Sequence, residues 1–340
     1  MYRIAIAGAS TLLGKELKDA LLDSPFAAAS ITLYDDEQAI DQLDQLGDEV
    51  TFINRIQADT FEQVDFTFFA GPPTLTSQHW RQALRSGSSV IDLSGALDQE
   101  PGVLVCAPWL TSVNAFEADL FTPAVVPADP AALGLALILE RITKVARLRF
   151  AAATVMQPAS EFGRAAMDEL HQQTVRLLSF QTLPRAVFDA QVAYNQISSF
   201  GEAATINLAA AETRTRQHYN RLADSKCLSP LAIQFIQSPV FHGHTFSIAL
   251  ELEQPIALNK LEDALSDEHI DLILEDTDSP SNLTATGQND VLVRIRPEAN
   301  PKGVQRLWIW AATDNLRLNV FNAIECALDL RRLRPQGKVQ

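Results

Sequence analysis

Residues 2–7 alternate apolar with polar or small side chains, and Gly8-Ala9-Ser10 interrupts them. Leu12, Leu13, Leu17, Ala20, Leu21 and Leu22 then recur at helical spacing. Strand, glycine turn and helix are the opening of a β–α–β unit. Residues 31–34 predict a second strand that ends in Asp35-Asp36, and 50–53, 66–69 and 89–92 predict three more. Residues 77–86 predict a helix before the last of these. This alternation predicts a doubly wound parallel sheet over residues 1–127.

The middle of the chain has a different rhythm. Residues 149–155, 231–236, 245–252, 291–295 and 307–311 read as strands. Residues 165–180 read as a helix with Met167, Leu170, Val175 and Leu178 near one face, and 259–265 as another. Residues 275–289 are polar and predict a surface loop, and 319–330 predict a closing helix. The pattern predicts an α+β region around one large sheet. The open face of such a sheet needs a cover, and a second copy of the chain is the simplest one.

A 340-residue chain that is 47% hydrophobic has room for about two domains with real cores. Its formal charge of −15 disfavours nucleic acid and anionic membrane surfaces as partners. Cys106, Cys227 and Cys326 form no CxxC, so neither a zinc site nor a disulfide framework is indicated. The chain opens directly as a strand, without the pattern of a secretory leader. The apolar run 133–139 is too short to span a bilayer, so a cytoplasmic protein is expected.

The first turn carries the clearest candidate chemistry. Gly8 and Gly14 can serve as the first and third glycines of a dinucleotide turn, with Ser10, Thr11, Leu12 and Leu13 between them. Thr11 sits where a second glycine would let the backbone touch pyrophosphate. Asp35 or Asp36, at the end of the second strand, can bond a ribose 2′-hydroxyl and would disfavour a 2′-phosphate. The alternative is a Rossmann-like domain that holds no nucleotide, with the two aspartates simply a turn.

Six segments in order resemble the aspartate-semialdehyde dehydrogenase family. Residues 8–14 (GASTLLG) resemble its GATGxVG turn, and 65–71 its strand into a small-residue loop. Residues 87–96 resemble GxxVIDNSSA, 155–163 (VMQPASEFG) TYQAVSGAG, and 238–244 the segment that ends in Gly-His. Asp314-Asn315-Leu316-Arg317, with Asn322-Ala323 beyond, resembles DNLRKGAAxNA. The resemblance implies a homodimer with a Rossmann-like dinucleotide domain (1–127 with 318–340) and an α+β substrate and dimerisation domain (128–317). It also implies NADP or NAD as cofactor, and reductive dephosphorylation of aspartyl phosphate in amino-acid biosynthesis. Within the family the chain resembles a divergent branch, the Usg-type proteins.

The resemblance carries some residues over and loses others. His244 matches the family's acid/base histidine, Gln157 the glutamine that orients the acyl group, and Glu212 the substrate-contacting glutamate. Asn315 borders the expected nicotinamide position, where Leu318-Asn319 replaces Lys-Gly. The nucleophilic cysteine falls on Pro130, and no Ser, Thr or Cys lies between positions 125 and 139. The carboxylate-binding arginine falls on Gln237 and the phosphate-binding arginine on or beside Asp98. A thioester needs a thiolate.

The expectation is a homologue that has lost thioester chemistry, whose binding of NADP or NAD is weak or lost, and that acts as a pseudoenzyme or binding protein. Its partner would be itself, the active paralogue or a small molecule of unknown identity. The alternatives are an NAD(P)-dependent oxidoreductase using Gln157, His244 and Glu212 on the same or another substrate, and an enzyme drawing its sulfur from another cysteine.

Overall fold

The structure, a computed structural model, describes residues 1–340 except 36–42, 47–48, 111–117, 120, 227, 275–278, 299–304 and 334–340. Asp36 and Cys227 therefore lie outside the described residues. The chain divides into two compact units, Met1–Ala128 with Asn319–Gln340, and Asp129–Leu318.

The first unit contains β1 (Arg3–Ala7), α1 (Leu12–Leu22), β2 (Ser30–Asp35), β3 (Leu43–Leu46), β4 (Glu49–Phe52) and β5 (Asn54–Arg55). β6 (Phe66–Phe69), α2 (Pro73–Arg85), β7 (Ser89–Asp92), β8 (Leu104–Cys106) and β9 (Val125–Pro127) follow. Seven strands form one sheet in the order β5-β2-β1-β6-β7-β9-β8, with every neighbouring pair parallel. Such a sheet is covered on both faces, so its central strands are buried throughout, as in Phe66–Phe69, where the one polar residue, Thr67, bonds the Ser88 hydroxyl. Ile4 and Ile6 join Phe66, Phe68, Leu17 and Leu21 in one core, while Ala5 and Ala7 join Phe69, Leu75 and Trp80 in the other.

The second unit begins with α3 (Pro130–Thr143) and β10 (Leu148–Gln157), then α4 (Arg164–Leu178) and α5 (Leu208–Lys226). β11 (Ala232–Gln237), β12 (His244–Leu252), α6 (Leu258–Leu265), β13 (Ile270–Leu272) and α7 (Asn282–Ala285) follow. β14 (Val291–Glu298), β15 (Arg306–Thr313) and α8 (Asn315–Arg332) complete the chain. Six strands form a mixed sheet in the order β11-β10-β12-β15-β14-β13. α3 is buried over residues 130–139, as expected of a core helix apolar all round. Gly134 lets it approach the sheet: a Cβ there would lie 3.4 Å from the Phe246 ring. The opposite face is open, with Phe150 54% and Trp308 49% exposed.

Three expectations are corrected. Residues 49–52 form a hairpin with 43–46, outside the parallel sheet. The sequence signal was the Gly47-Asp48 pair between two short runs. The final helix starts at Asn315, because the Asp314 carboxylate accepts the Leu316 and Arg317 N–H groups and caps it. Within the expected loop 275–289, a Ser281/Thr284 capping box stabilises a short helical turn.

The glycine turn is tight for a stated reason. Gly8 has φ +92°, and a Cβ on it would lie 2.2 Å from the Gly71 nitrogen. A Cβ on Gly14 would lie 2.2 Å from the Gly8 carbonyl oxygen. Gly14→Ala should therefore destabilise the protein by about 1–3 kcal/mol through overpacking, against a helix-propensity gain of about 1 kcal/mol. Urea unfolding checks this, and an unchanged midpoint would show that the turn gives way freely.

Candidate functional site

The six-stranded sheet brings four polar side chains into a row. β10 and β11 run parallel with Gln157 opposite Gln237, while β12 runs antiparallel to β10 and β15 with His244 opposite Thr313. The ends of β10, β11 and β15 and the start of β12 therefore share one edge, in the order Gln237, Gln157, His244, Thr313. Each of the four is at most 1% exposed. Gln237 Nε2 donates to the Gln157 and Ser238 carbonyl oxygens. The remaining polar atoms have no hydrogen-bond partner among the described residues: Gln237 Oε1, both amide atoms of Gln157, both ring nitrogens of His244 and Thr313 Oγ1. Each such buried group costs about 1–3 kcal/mol unless something supplies the bond. Folded proteins satisfy most of theirs, so a row left open calls for an explanation.

Two helix ends close on this edge, each with its own aspartate. Asp129 caps α3: its Oδ1 accepts the Ala131 and Ala132 N–H groups at 3.1 Å and the Thr215 hydroxyl at 2.8 Å. Arg214 Nη1 lies 3.6 Å from Asp129 Oδ2, and the Asp129 N–H donates to His218 Nδ1 at 2.9 Å. Pro130 takes the first helical position, where its missing N–H costs nothing. Asp314 caps α8 and also accepts the Gly287 N–H at 2.9 Å.

After β10 the chain turns through Ser160 and Glu161. Asn315 holds both: its Oδ1 accepts from Ser160 Oγ and from the Gly243 N–H, and its Nδ2 donates to Glu161 Oε2 at 3.0 Å. That Oε2 lies 3.9 Å from His244 Nε2, and the Glu161 side chain keeps 20% of its surface exposed. Burial, reinforced by the Asp129 charge, pushes the Glu161 carboxyl up to about 7, with Asn315 and Arg214 pulling the other way. Burial lowers His244 to about 4, opposed by Asp129 and Asp314. At neutral pH the imidazole is therefore uncharged, and Glu161 is poised to gain or lose a proton.

The residues expected from the sequence separate. Pro130, Gln157, His244 and Asn315 gather around this edge. Glu212 faces β11 instead, where its carboxylate accepts from Arg216 and from the Phe235 N–H. Asn315, expected beside a nicotinamide, commits its amide to Ser160, Gly243 and Glu161. Glu161, Arg214, Thr215 and His218 were missed as site residues. Glu161 did carry a signal, because it stands where the TYQAVSGAG pattern has glycine. The other three lie on one face of α5, and nothing local in the sequence points that face at Asp129.

Gly8, Ser10, Thr11, Leu12, Leu13, Gly14 and Asp35 lie in the first unit. Thr11 Oγ1 donates to the Gly8 and Ala70 carbonyl oxygens and accepts the Gly14 N–H at 2.9 Å. Asp35 Oδ2 accepts the Ser10 N–H at 2.7 Å. A dinucleotide turn presents such amides to pyrophosphate. Here two of them, those of Ser10 and Gly14, are taken internally. No helix among the described residues is long and apolar enough to cross a membrane.

Residues 3–127 match the family profile described as semialdehyde dehydrogenase, NAD binding domain, and residues 139–318 match semialdehyde dehydrogenase, dimerisation domain. The chain is 27% identical to a USG-1 protein homolog of Azotobacter vinelandii, covering 95% of this chain and 96% of the relative. A solved probable aspartate-semialdehyde dehydrogenase from Pseudomonas aeruginosa aligns with TM-score 0.84 at 25% identity, covering 97% of this chain and 98% of that one. An aspartate semialdehyde dehydrogenase II from Vibrio cholerae shares the fold with TM-score 0.87 at 20% identity, covering 98% of this chain and all (100%) of that one.

The two shifted groups set opposite pH dependences. Glu161, raised from 4.5, contributes stability that is fully present below 4.5 and lost as pH rises through about 7. His244, lowered from 6.5, contributes stability present above 6.5 and lost as pH falls through about 4. Between 4.5 and 6.5 the two slopes oppose each other. Over that window Glu161→Gln should lose stability relative to the parent chain as pH falls, by up to about 1.4 kcal/mol per pH unit. His244→Asn should do the reverse. Urea midpoints across pH for the three proteins test the assignment, and parallel curves would refute it.

Proposed function

The chain belongs to the semialdehyde dehydrogenase family, and from that premise we propose a member that keeps the fold and a dimer, no longer forms a thioester, and acts by binding a small ligand. The start of α3 carries this reading. A thiolate there would sit on the N-terminal amides, which lower its pKa. The Asp129 carboxylate already holds two of those amides, and Pro130 has no atom that can attack a carbonyl.

Nothing nearby among the described residues replaces the sulfur. Cys106 and Cys326 belong to the first unit and are buried, and burial raises the Cys326 thiol well above its ordinary range. His244 and Glu161 can hold and move a proton but form no covalent acyl adduct of the required kind. A second reading, a dehydrogenase acting on free substrate with the retained Gln157 and His244, requires NADP or NAD in the first unit. Thr11 and the amide held by Asp35 argue for weakened or lost cofactor binding.

Purified protein supplied with aspartate semialdehyde, phosphate and NADP or NAD should show no dehydrogenase-like turnover. Loss of a nucleophile typically costs on the order of 10⁶ in rate. Clear turnover would overturn the proposal, and saturable cofactor binding without it would revive the second reading.

The open face of the six-stranded sheet is the surface proposed for pairing with a second copy, or with a paralogous subunit. It carries Phe150 and Trp308, a half-exposed aromatic pair that water does not favour. Trp308→Glu should convert the protein to monomers in light scattering at micromolar concentration. A dimer that survives the charge would place the interface elsewhere.

A further inference from the structure

Resting on the binding role just proposed, we infer that the edge formed by Gln237, Gln157, His244 and Thr313 takes a small primary amine that also carries an amide or carbonyl group, and that Glu161 selects its ammonium. The charge balance of the site decides the sign of the ligand. Three carboxylates converge, but two are already spent on backbone. Asp129 is held by three donors and Arg214, and Asp314 by three N–H groups. Glu161 receives a single hydrogen bond, from Asn315. It is the acid left with acceptor capacity and an open side.

The neutral row supplies the rest of the recognition. Gln157 offers both donor and acceptor, buried and without partners, and His244 offers one of each in its uncharged form. These groups match an amide or carbonyl and give no advantage to an anion. Among the described residues, the guanidinium acting on this acid, Arg214, lies against Asp129. An anionic ligand would add charge beside Glu161, Asp129 and Asp314, whereas an ammonium would relieve it. The raised Glu161 carboxyl agrees: burial and then the Asp129 charge push it up, and Asn315 and Arg214 offset only part of that.

Three primary amides that differ in charge separate the possibilities: β-alaninamide (cationic), propionamide (neutral) and succinamate (anionic), titrated into the full chain. NMR of the Gln157 side-chain amide reports occupancy, and calorimetry at pH 7 in two buffers reports proton exchange. The expected order is β-alaninamide tightest, with a fractional proton released as Glu161 ionises. Glu161→Gln should weaken β-alaninamide by about tenfold, abolish the proton release and leave propionamide unchanged. Succinamate binding as well as β-alaninamide, an unaffected Glu161→Gln variant, or no saturable binding of any probe would each overturn the inference. None of these outcomes depends on dehydrogenase turnover, so the inference can fail while the loss of thioester chemistry stands, and the reverse.

Discussion

The carboxylate of Asp129 is the interaction on which the second unit turns. It begins α3 by accepting two N–H groups, and ties α3 to α5 through Thr215 and Arg214. Its own N–H is fixed by His218. A helix start is an electropositive place that proteins use for thiolates, phosphates or caps. Here the cap has taken it. One residue choice thereby secures a buried helix and removes the amides that a reactive group would have used.

The consequences reach the neighbouring groups. Burial, and after it the Asp129 charge, make Glu161 costly to ionise, so it holds its proton longer. His244 is dehydrated and gives up its proton early. The pair is therefore neutral over a broad acid range and gains one negative charge near neutrality. That behaviour suits recognition of a charged ligand better than attack on a carbonyl. A family fold can host the change proposed here because the scaffold depends on its cores and caps, while the chemistry depends on a few side chains at one edge.

Much of the fold was legible because its signals are local and periodic. The glycine turn, the short buried strands 66–69 and 89–92, and the alternating strand 245–252 each carry their own evidence. The hairpin at 43–52 and the four-residue extension of the last helix were missed because each depends on a short-range signal, Gly47-Asp48 and the Asp314 cap. Of the site, Gln157, His244 and Pro130 were legible through ordered motifs. Glu161 was visible only as an acid in place of glycine.

The sequence by itself determined the absence of Ser, Thr and Cys between positions 125 and 139, the acidic charge, the two glycines of the turn and the alternation that builds both sheets. Those are properties of residue type and spacing, which survive without coordinates. Tertiary structure decided which polar groups meet. Gln237, Gln157, His244 and Thr313 come from four strands whose register puts them in a row. Thr215 and His218 reach Asp129 only because α5 packs against α3. Whether a carboxylate is spent on a cap or left open to a ligand depends on long-range donors, and those are set by packing.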